Sequence, residues 1–293
     1  MSMEPIQSHS KVRAMQKTPR ESGLFAPPSA ILAGEVANTQ FLRRPSQGLS
    51  SRMGDSRRHR GAHPIDAQLF SEQTRPALMA AVSDLSWLRT RGYSDASAVK
   101  LVGDRYRLRS RQRTAAKRCA CSDSAREDRA SRRCAPEMMD ARHLLIDGLN
   151  VITTIEVALA RGVLLLGRDD CLRDMASFHG SYRLVQETER AVEILVDVVD
   201  SLRPSEVTVY IDRPVSNSGR LAEIVRTTAA DKGSQIQAKT ADRVDELLKA
   251  STAVVASADS AILDECGAWV NLARISVERH QTELEPLWLL DLS

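Results

Sequence analysis

Apolar residues recur at helical spacing over residues 63–93, which predicts an amphipathic helix. Four of them lie on one face: Leu78, Val82, Leu85 and Leu88. Gly92 is expected to end this helix. Two further short helices are expected after it, because Ser94 and Ser110 are suitable N-caps. The pattern therefore predicts a small all-α domain over residues 61–124 with a helix-turn-helix-like arrangement.

Beyond residue 140 the pattern changes to short, nearly continuous apolar runs that alternate with helical stretches. Such runs are typical of parallel strands that helices cover on both faces. We expect strands at 143–147, 206–212, 236–239, 253–259 and 269–277, with helices at 188–202, 220–230, 242–250 and 261–266. Residues 141–293 should therefore form an α/β domain with a parallel sheet, and the apolar tail P-L-W-L-L-D-L-S should pack on it or on a second copy.

Composition and charge add the remaining divisions of the chain. Of the 293 residues 42% are apolar, which suits a globular protein, and the net charge of +3 comes with basic residues crowded into the first half. Residues 1–60 lack any hydrophobic period and are expected to be a disordered basic arm. Residues 125–140 are expected to be a charged linker. No run is long enough for a bilayer, no secretory signal is present, and the five cysteines have no disulfide spacing, so we expect a cytoplasmic protein.

Three predicted strands end in an aspartate. H-L-L-I-D-G-L-N delivers Asp147, E-V-T-V-Y-I-D delivers Asp212, and A-V-V-A-S-A-D delivers Asp259. Ligands of parallel α/β sheets bind beyond the carboxyl ends of the strands, so these acids should face a crevice. Several carboxylates together suit Mg²⁺ or Mn²⁺, with Asp147, Asp212 and Asp259 as metal ligands. Asn150 is expected to orient a metal-bound water or a phosphate.

Two stretches are candidate substrate contacts. The third predicted helix exposes Arg111, Arg113 and Lys117, which could contact nucleic acid or form the solvated face of a helical bundle. The second stretch is D-R-P-V-S-N-S-G-R, just beyond Asp212. It would form either a phosphate cradle or an ordinary capped loop, and its candidate residues are Arg213, Ser216, Asn217, Ser218 and Arg220.

A long insertion follows the first strand of the α/β domain. Its polar residues could line the crevice as a lid or as substrate contacts: Arg168, Asp169, Asp170, His179, Tyr182 and Arg183. His179 could act as a general acid or have a structural role. The cysteines near residue 120 lack a paired zinc knuckle, so no zinc site is assigned.

The ordered stretches I-D-G-L-N, V-Y-I-D, A-D-R-V-D-E-L-L and V-A-S-A-D-S-A-I-L resemble the PIN-like and NYN-type nuclease superfamily. In that superfamily strand-end acids bind Mg²⁺ or Mn²⁺ and cleave RNA. From residue 63 onward the layout also resembles the domain of unknown function 434 joined to a PIN-like domain. The resemblance implies a PIN-like (Rossmannoid) sheet and catalytic roles for four acids: Asp147, Asp212, Asp245 and Asp259.

One position departs from the superfamily pattern. Ala261 stands where a second aspartate is common, so Asp264 or Glu156 would have to replace that ligand. The expected function is a metal-dependent nuclease that acts on RNA, with nucleic acid as partner, no membrane partner and a homodimer as one assembly. Two alternatives remain: a noncatalytic nucleic-acid-binding or regulatory protein with a degenerate PIN-like domain, and an enzyme acting on a small phosphorylated substrate.

Overall fold

Within residues 59–176 and 182–293, which are those that this computed structural model describes, the chain forms two sheets and twelve α-helices. Five helices come first: α1 Asp66–Leu69, α2 Arg75–Thr90, α3 Asp95–Arg105, α4 Ser110–Cys119 and α5 Asp123–Arg132. The next elements are a 3₁₀ turn at Pro136–Met138, β1 His143–Asp147, α6 Gly148–Leu159, β2 Val163–Leu166 and β3 Leu172–Asp174.

The second half of the chain completes both sheets. In chain order its elements are α7 Thr188–Leu202, β4 Glu206–Asp212, α8 Ser218–Asp231, β5 Ile236–Ala241, α9 Val244–Lys249 and β6 Val254–Ala256. They are followed by α10 Ser260–Glu265, β7 Trp269–Val270, α11 Leu272–Arg279, α12 Gln281–Leu284 and β8 Trp288–Asp291.

The larger sheet has five parallel strands in the order β5-β4-β1-β6-β7, which confirms the predicted α/β class. Strand residues alternate between its two faces. Leu144 and Ile146 of β1 pack in one core with α6, α7, α8 and α11. Leu145 packs in the other core with α9 and α10. Helices therefore cover both faces, as the nearly continuous apolar strands predicted.

A smaller sheet, in the order β3-β2-β8, joins the helical part to the α/β part. Strand β8 pairs in parallel with β2, so the apolar tail packs back on its own chain, which is the first of the two arrangements expected for it. Leu290 and Leu292 are buried in one core with Val163 and Leu165 of β2 and with residues of α1, α2, α3 and α4. The helical part therefore has no separate core of its own but shares one with this sheet.

The helical part follows its sequence pattern closely. The predicted apolar face of α2 is buried, and Ser94 caps α3 by accepting the amide proton of Ser97. The Ser110 cap was wrong, because Arg109 holds the extended N-cap position and Ser110 is already helical. The charged stretch over residues 125–140, predicted as a linker, contains most of α5 and the 3₁₀ turn.

Two predicted strands were too long. The strand expected at 253–259 covers only β6, Val254–Ala256. The strand expected at 269–277 stops at Val270, because the Asn271 side chain accepts the amide proton of Arg274 and starts α11. The predicted arm over residues 1–60 lies outside the described residues, apart from His59 and Arg60. Among the described residues no helix has the length and apolar character that a membrane crossing requires.

Candidate active site

The predicted strand-end acids lie at the carboxyl edge of the three central strands. In the register of the sheet Asp147 of β1 is opposite Tyr210 of β4. Ile146 is opposite Ala256 of β6, so Asp147 is level with the next residue, Ser257. Asp212 and Asp259 each follow two residues further along their chains, on either side of Asp147. Strand β4 lies on one side of β1 and strand β6 on the other, so the strand order reverses there. α/β sheets bind ligands at such a topological switch point.

Asp147 is fixed by two hydrogen bonds, one from α6 and one from the segment after β6. One carboxylate oxygen accepts the amide proton of Asn150 at 3.2 Å and so caps α6, while the other accepts the Ser257 hydroxyl at 2.9 Å. The Asn150 side-chain oxygen accepts the Ala258 amide proton at 2.9 Å, which ties α6 to the end of β6. Gly148 is needed between them, because a Cβ there would lie 2.8 Å from a Val209 methyl group. The turn therefore aims Asp147 outward from the sheet.

A cleft of about 1120 Å³ lies between this edge and the helical part. All four acids predicted to be catalytic line it, and so does Asn150. Of the two residues suggested to replace the aspartate missing at Ala261, Asp264 lines the cleft, but its carboxylate is bound by Arg129 at 2.5 Å. Glu156 is buried elsewhere, where its carboxylate accepts the hydroxyl protons of Tyr182 and Thr188.

The carboxylates of the cleft influence one another. Burial raises the pKa of Asp147 to about 7, and the charges of Asp245 and Asp259 act in the same direction against the hydrogen bonds from Ser257 and Asn150. Burial also raises the pKa of Asp245, with further contributions from Asp259 and Asp212. The pKa of Asp212 is raised by burial as well, although it accepts the Val244 amide proton. Mutual repulsion of this kind is relieved by a bound cation.

The donor set suits a hard divalent cation in its chemistry but is not a closed cage. Among residues 59–176 and 182–293, no three acidic, histidine or cysteine side chains are grouped closely enough to hold a metal ion together. Mg²⁺, however, usually takes one or two carboxylates and keeps several waters. An open edge fits that mode if Asp147 with either Asp212 or Asp259 supplies the carboxylates and water supplies the remaining ligands.

The opposite wall of the cleft is basic and comes from the helical part. Lys117, one of the three predicted basic contacts, lines it together with Arg89 and Arg118. Asp95 on the same wall binds Arg89 at 2.5 Å and Lys117 at 3.2 Å, which lowers the pKa of Asp95 despite its partial burial. Arg118 also pairs with Asp174 at 3.5 Å, so three cations against two anions leave this wall with a small net positive charge facing the acids.

The other two predicted basic contacts are used within the helical part. Arg111 binds the buried carboxylate of Asp66 through two nitrogens, at 2.6 and 2.8 Å. Arg113 donates to the carbonyl of Leu108 and to Asp104. Neither arginine lines the cleft, because each guanidinium holds a neighbouring helix or turn in place.

None of the predicted phosphate-binding residues in the loop after Asp212 lines the cleft, although Val215 of the same loop does. Arg213 is exposed and pairs with Asp242 at 2.9 Å. Ser216 is exposed, and Ser218 is buried and donates to the carbonyl of Arg213. Asn217 and Arg220 line a different cavity of about 850 Å³ beside α7 and α8.

The insertion does not supply the predicted lid residues to the cleft. Arg168 binds Asp123, and Asp170 binds Arg133 and Arg274. Tyr182 is buried, Arg183 lines the cavity beside α7 and α8, and His179 lies outside the described residues.

Sequence reasoning missed Asp174, which ends β3, lines the cleft, and accepts the Thr154 hydroxyl at 2.8 Å. No apolar run precedes it in D-D-C-L-R-D, so the local pattern gave no signal, and the β2–β3 hairpin had not been recognised.

A buried ion-pair network supports the Asp259 loop from below. Asp169 accepts from Arg129 of α5 and from Arg173 of β3, and all three side chains are at most 7% exposed. Arg173 also donates to the carbonyl of Ala258 at 2.8 Å, and Arg129 to that of Ser260 at 3.3 Å. These carbonyls flank Asp259, so both parts of the chain hold the acid in position.

Comparisons with known proteins match two separate stretches of the chain to families. Residues 77–132 match the family described as "Protein of unknown function (DUF434)", which confirms the predicted resemblance of the helical part. Residues 136–275 match "Domain of unknown function (DUF5616)", so the PIN-like resemblance stays a prediction. "Uncharacterized protein MJ0935" of Methanocaldococcus jannaschii is 27% identical over 185 residues, which cover 62% of this chain and 87% of that protein. No solved structure matches the chain.

Proposed function

We propose that this protein is a metal-dependent nuclease that hydrolyses phosphodiester bonds of RNA in the cleft. The observation that carries the proposal is the convergence of Asp147, Asp212, Asp245 and Asp259 on one cleft whose opposite wall is basic. A polyanion would be held by Lys117 and its neighbours while its phosphate meets the acids. Electrostatic contact with phosphates is the main source of affinity for nucleic acids.

The residues of the chain have separable roles in this proposal. Asp147, Asp212 and Asp259 are the candidate ligands, of which one or two at a time would hold Mg²⁺ or Mn²⁺ with waters completing its shell, and the bound ion would neutralise charge that develops on a phosphodiester. Asp245 adds a nearby carboxylate that can accept a proton from the attacking water. Asn150 keeps Asp147 and the end of β6 in register through its two hydrogen bonds. We further propose the cytoplasm as the compartment, because all five cysteines are free thiols.

The test is cleavage of a pool of labelled single-stranded and structured RNAs with Mg²⁺, with Mn²⁺ and with a chelator. Asp147→Asn should abolish metal-dependent cleavage while keeping the fold, since asparagine is also a good N-cap. Asp140→Asn is the matched control, because Asp140 precedes β1 and lies at the opposite edge of the sheet, paired only with exposed Arg203 among the described residues. Equal cleavage by the wild type and Asp147→Asn would remove Asp147 from the mechanism.

A second candidate function is a noncatalytic RNA-binding protein. It is favoured by Ala261 at the position of a common aspartate and by the engagement of Asp264 with Arg129, which leaves that ligand unreplaced. This candidate predicts RNA binding that survives the chelator, weakens steeply with salt, and is not accompanied by cleavage with either metal.

A further inference from the structure

The basic wall of the cleft carries an exposed aromatic side chain, Tyr93. Its ring lines the cleft with Thr114 and Lys117, and 55% of the residue is exposed. An aromatic face left open to solvent in a charged cleft contributes nothing to a core. Such faces are what proteins use to stack the bases of single-stranded nucleic acids, next to cations that follow the backbone.

The backbone holds Tyr93 rigidly in this position. Helix α2 ends in a Schellman motif, in which Gly92 has φ +76° and donates to the Arg89 carbonyl at 3.0 Å, while Tyr93 donates to the Leu88 carbonyl at 3.2 Å. The next residue, Ser94, caps α3. Tyr93 thus lies between two fixed helix ends, so little backbone freedom would be lost when a ligand contacts its ring.

The size and charge of the cleft indicate the kind of occupant. Pockets for small ligands usually have volumes of about 300–1,000 Å³, and this cleft exceeds that range. Its polar groups are also divided between an acidic edge and a basic wall. A short stretch of polymer can satisfy both, with one phosphate at the acids and neighbouring nucleotides along the helices. A paired duplex would keep its bases stacked on one another and offer no free face to Tyr93.

We propose that Tyr93 stacks against an unpaired base and makes the cleft selective for single-stranded RNA. This proposal rests on the proposed function, because it takes the acids as the place where the phosphodiester is cut. Trp87 provides a matched comparison. It is 52% exposed on α2, but the Arg91 guanidinium already lies 3.6 Å from its ring centre, and Trp87 does not line the cleft.

The experiment measures binding of a labelled single-stranded RNA and of its duplex by fluorescence anisotropy, with Mg²⁺ present. The parent is the full chain carrying Asp147→Asn, so that bound RNA stays intact, and it is compared with the same chain carrying Tyr93→Ala, Tyr93→Phe or Trp87→Ala. Tyr93→Ala should weaken single-strand binding about 5- to 150-fold, which is the range for loss of one stacked base. Tyr93→Phe and Trp87→Ala should stay within about twofold of the parent, and duplex binding should hardly change.

The proposal is overturned if Tyr93→Ala binds single strands as well as the parent does. It is also overturned if duplex binding falls equally, or if the parent binds no single-stranded RNA. Wild-type cleavage is scored separately on the same RNAs. Tyr93-dependent binding by a protein that never cuts RNA would refute the nuclease function and leave the stacking role standing. Cutting that does not depend on Tyr93 would refute the stacking role and leave the nuclease function standing.

Discussion

Replacement of Asp169 by asparagine tests whether the buried ion-pair network holds the helical part against the sheet. Burial raises the pKa of Asp169, but hydrogen bonds and charges from Arg173 and Arg129 outweigh it and lower the pKa from 3.8 to about 2. That shift corresponds to roughly 2 kcal/mol of stability at neutral pH. The variant would also leave the buried Arg173 guanidinium without a carboxylate and Arg129 with only the half-exposed Asp264. Breaking a buried pair costs about 3–5 kcal/mol, and the two figures describe overlapping effects.

The assay is urea unfolding of the wild type and Asp169→Asn at neutral pH, with Asp123→Asn as control. Asp123 pairs with Arg168 but is more than half exposed, so its loss should cost less than about 1 kcal/mol. Because the folded pKa of Asp169 is depressed, its contribution is fully present above about pH 4 and is lost as the pH falls toward about 2. The difference between wild type and variant should shrink over that window.

The same variant should also reduce RNA cleavage, since Arg129 and Arg173 hold the carbonyls on either side of Asp259. A free energy of unfolding for Asp169→Asn within about 1 kcal/mol of the wild type would refute the reasoning, because it would mean that the network contributes no more than a surface pair. A large loss that stays constant between about pH 4 and pH 2 would refute the assigned cause, the depressed pKa.

Two further predictions concern the acidic edge. Mg²⁺ or Mn²⁺ at about 100 times its dissociation constant should stabilise the wild type by about 2.7 kcal/mol in thermal unfolding. It should stabilise Asp140→Asn equally and have little effect on Asp147→Asn. Equal stabilisation of all three proteins would show that the metal binds elsewhere. Gly148→Ala should destabilise the fold by about 1–3 kcal/mol and lower RNA cleavage, because the new methyl group would contact Val209 and Ile211 too closely. Unchanged unfolding and cleavage would show that the turn can relax.

The parts of the site that could be predicted from the sequence are those set by local pattern. Asp147, Asp212 and Asp259 follow apolar runs directly, and parallel strands necessarily bring their carboxyl ends to one edge. The apolar face of α2 and the Ser94 cap were equally local. Each of these features depends on residues only a few positions apart.

The parts that could not be predicted depend on partners distant in the chain. The sequence predicted that Arg111 and Arg113 could contact nucleic acid, but their guanidinium groups bind Asp66 and Asp104. The segment between α6 and α7 gave no sign that β2 would pair with β8, so the hairpin that carries Asp174 went unrecognised. The loop after Asp212 had suitable residue types, but its backbone directs Arg220 toward α7.

The pairing of β2 with β8 also has a consequence for the order of synthesis. Helices α1 to α4 are made early, but their shared core includes Leu290 and Leu292, which emerge only after all five strands of the larger sheet. On the ribosome the apolar faces of these helices therefore remain incompletely covered while the α/β part is translated. Nascent chains stopped before β8 should accordingly be targets for chaperones and proteases. Release of the segment that contains β8 from the ribosome would complete the core of the helical part.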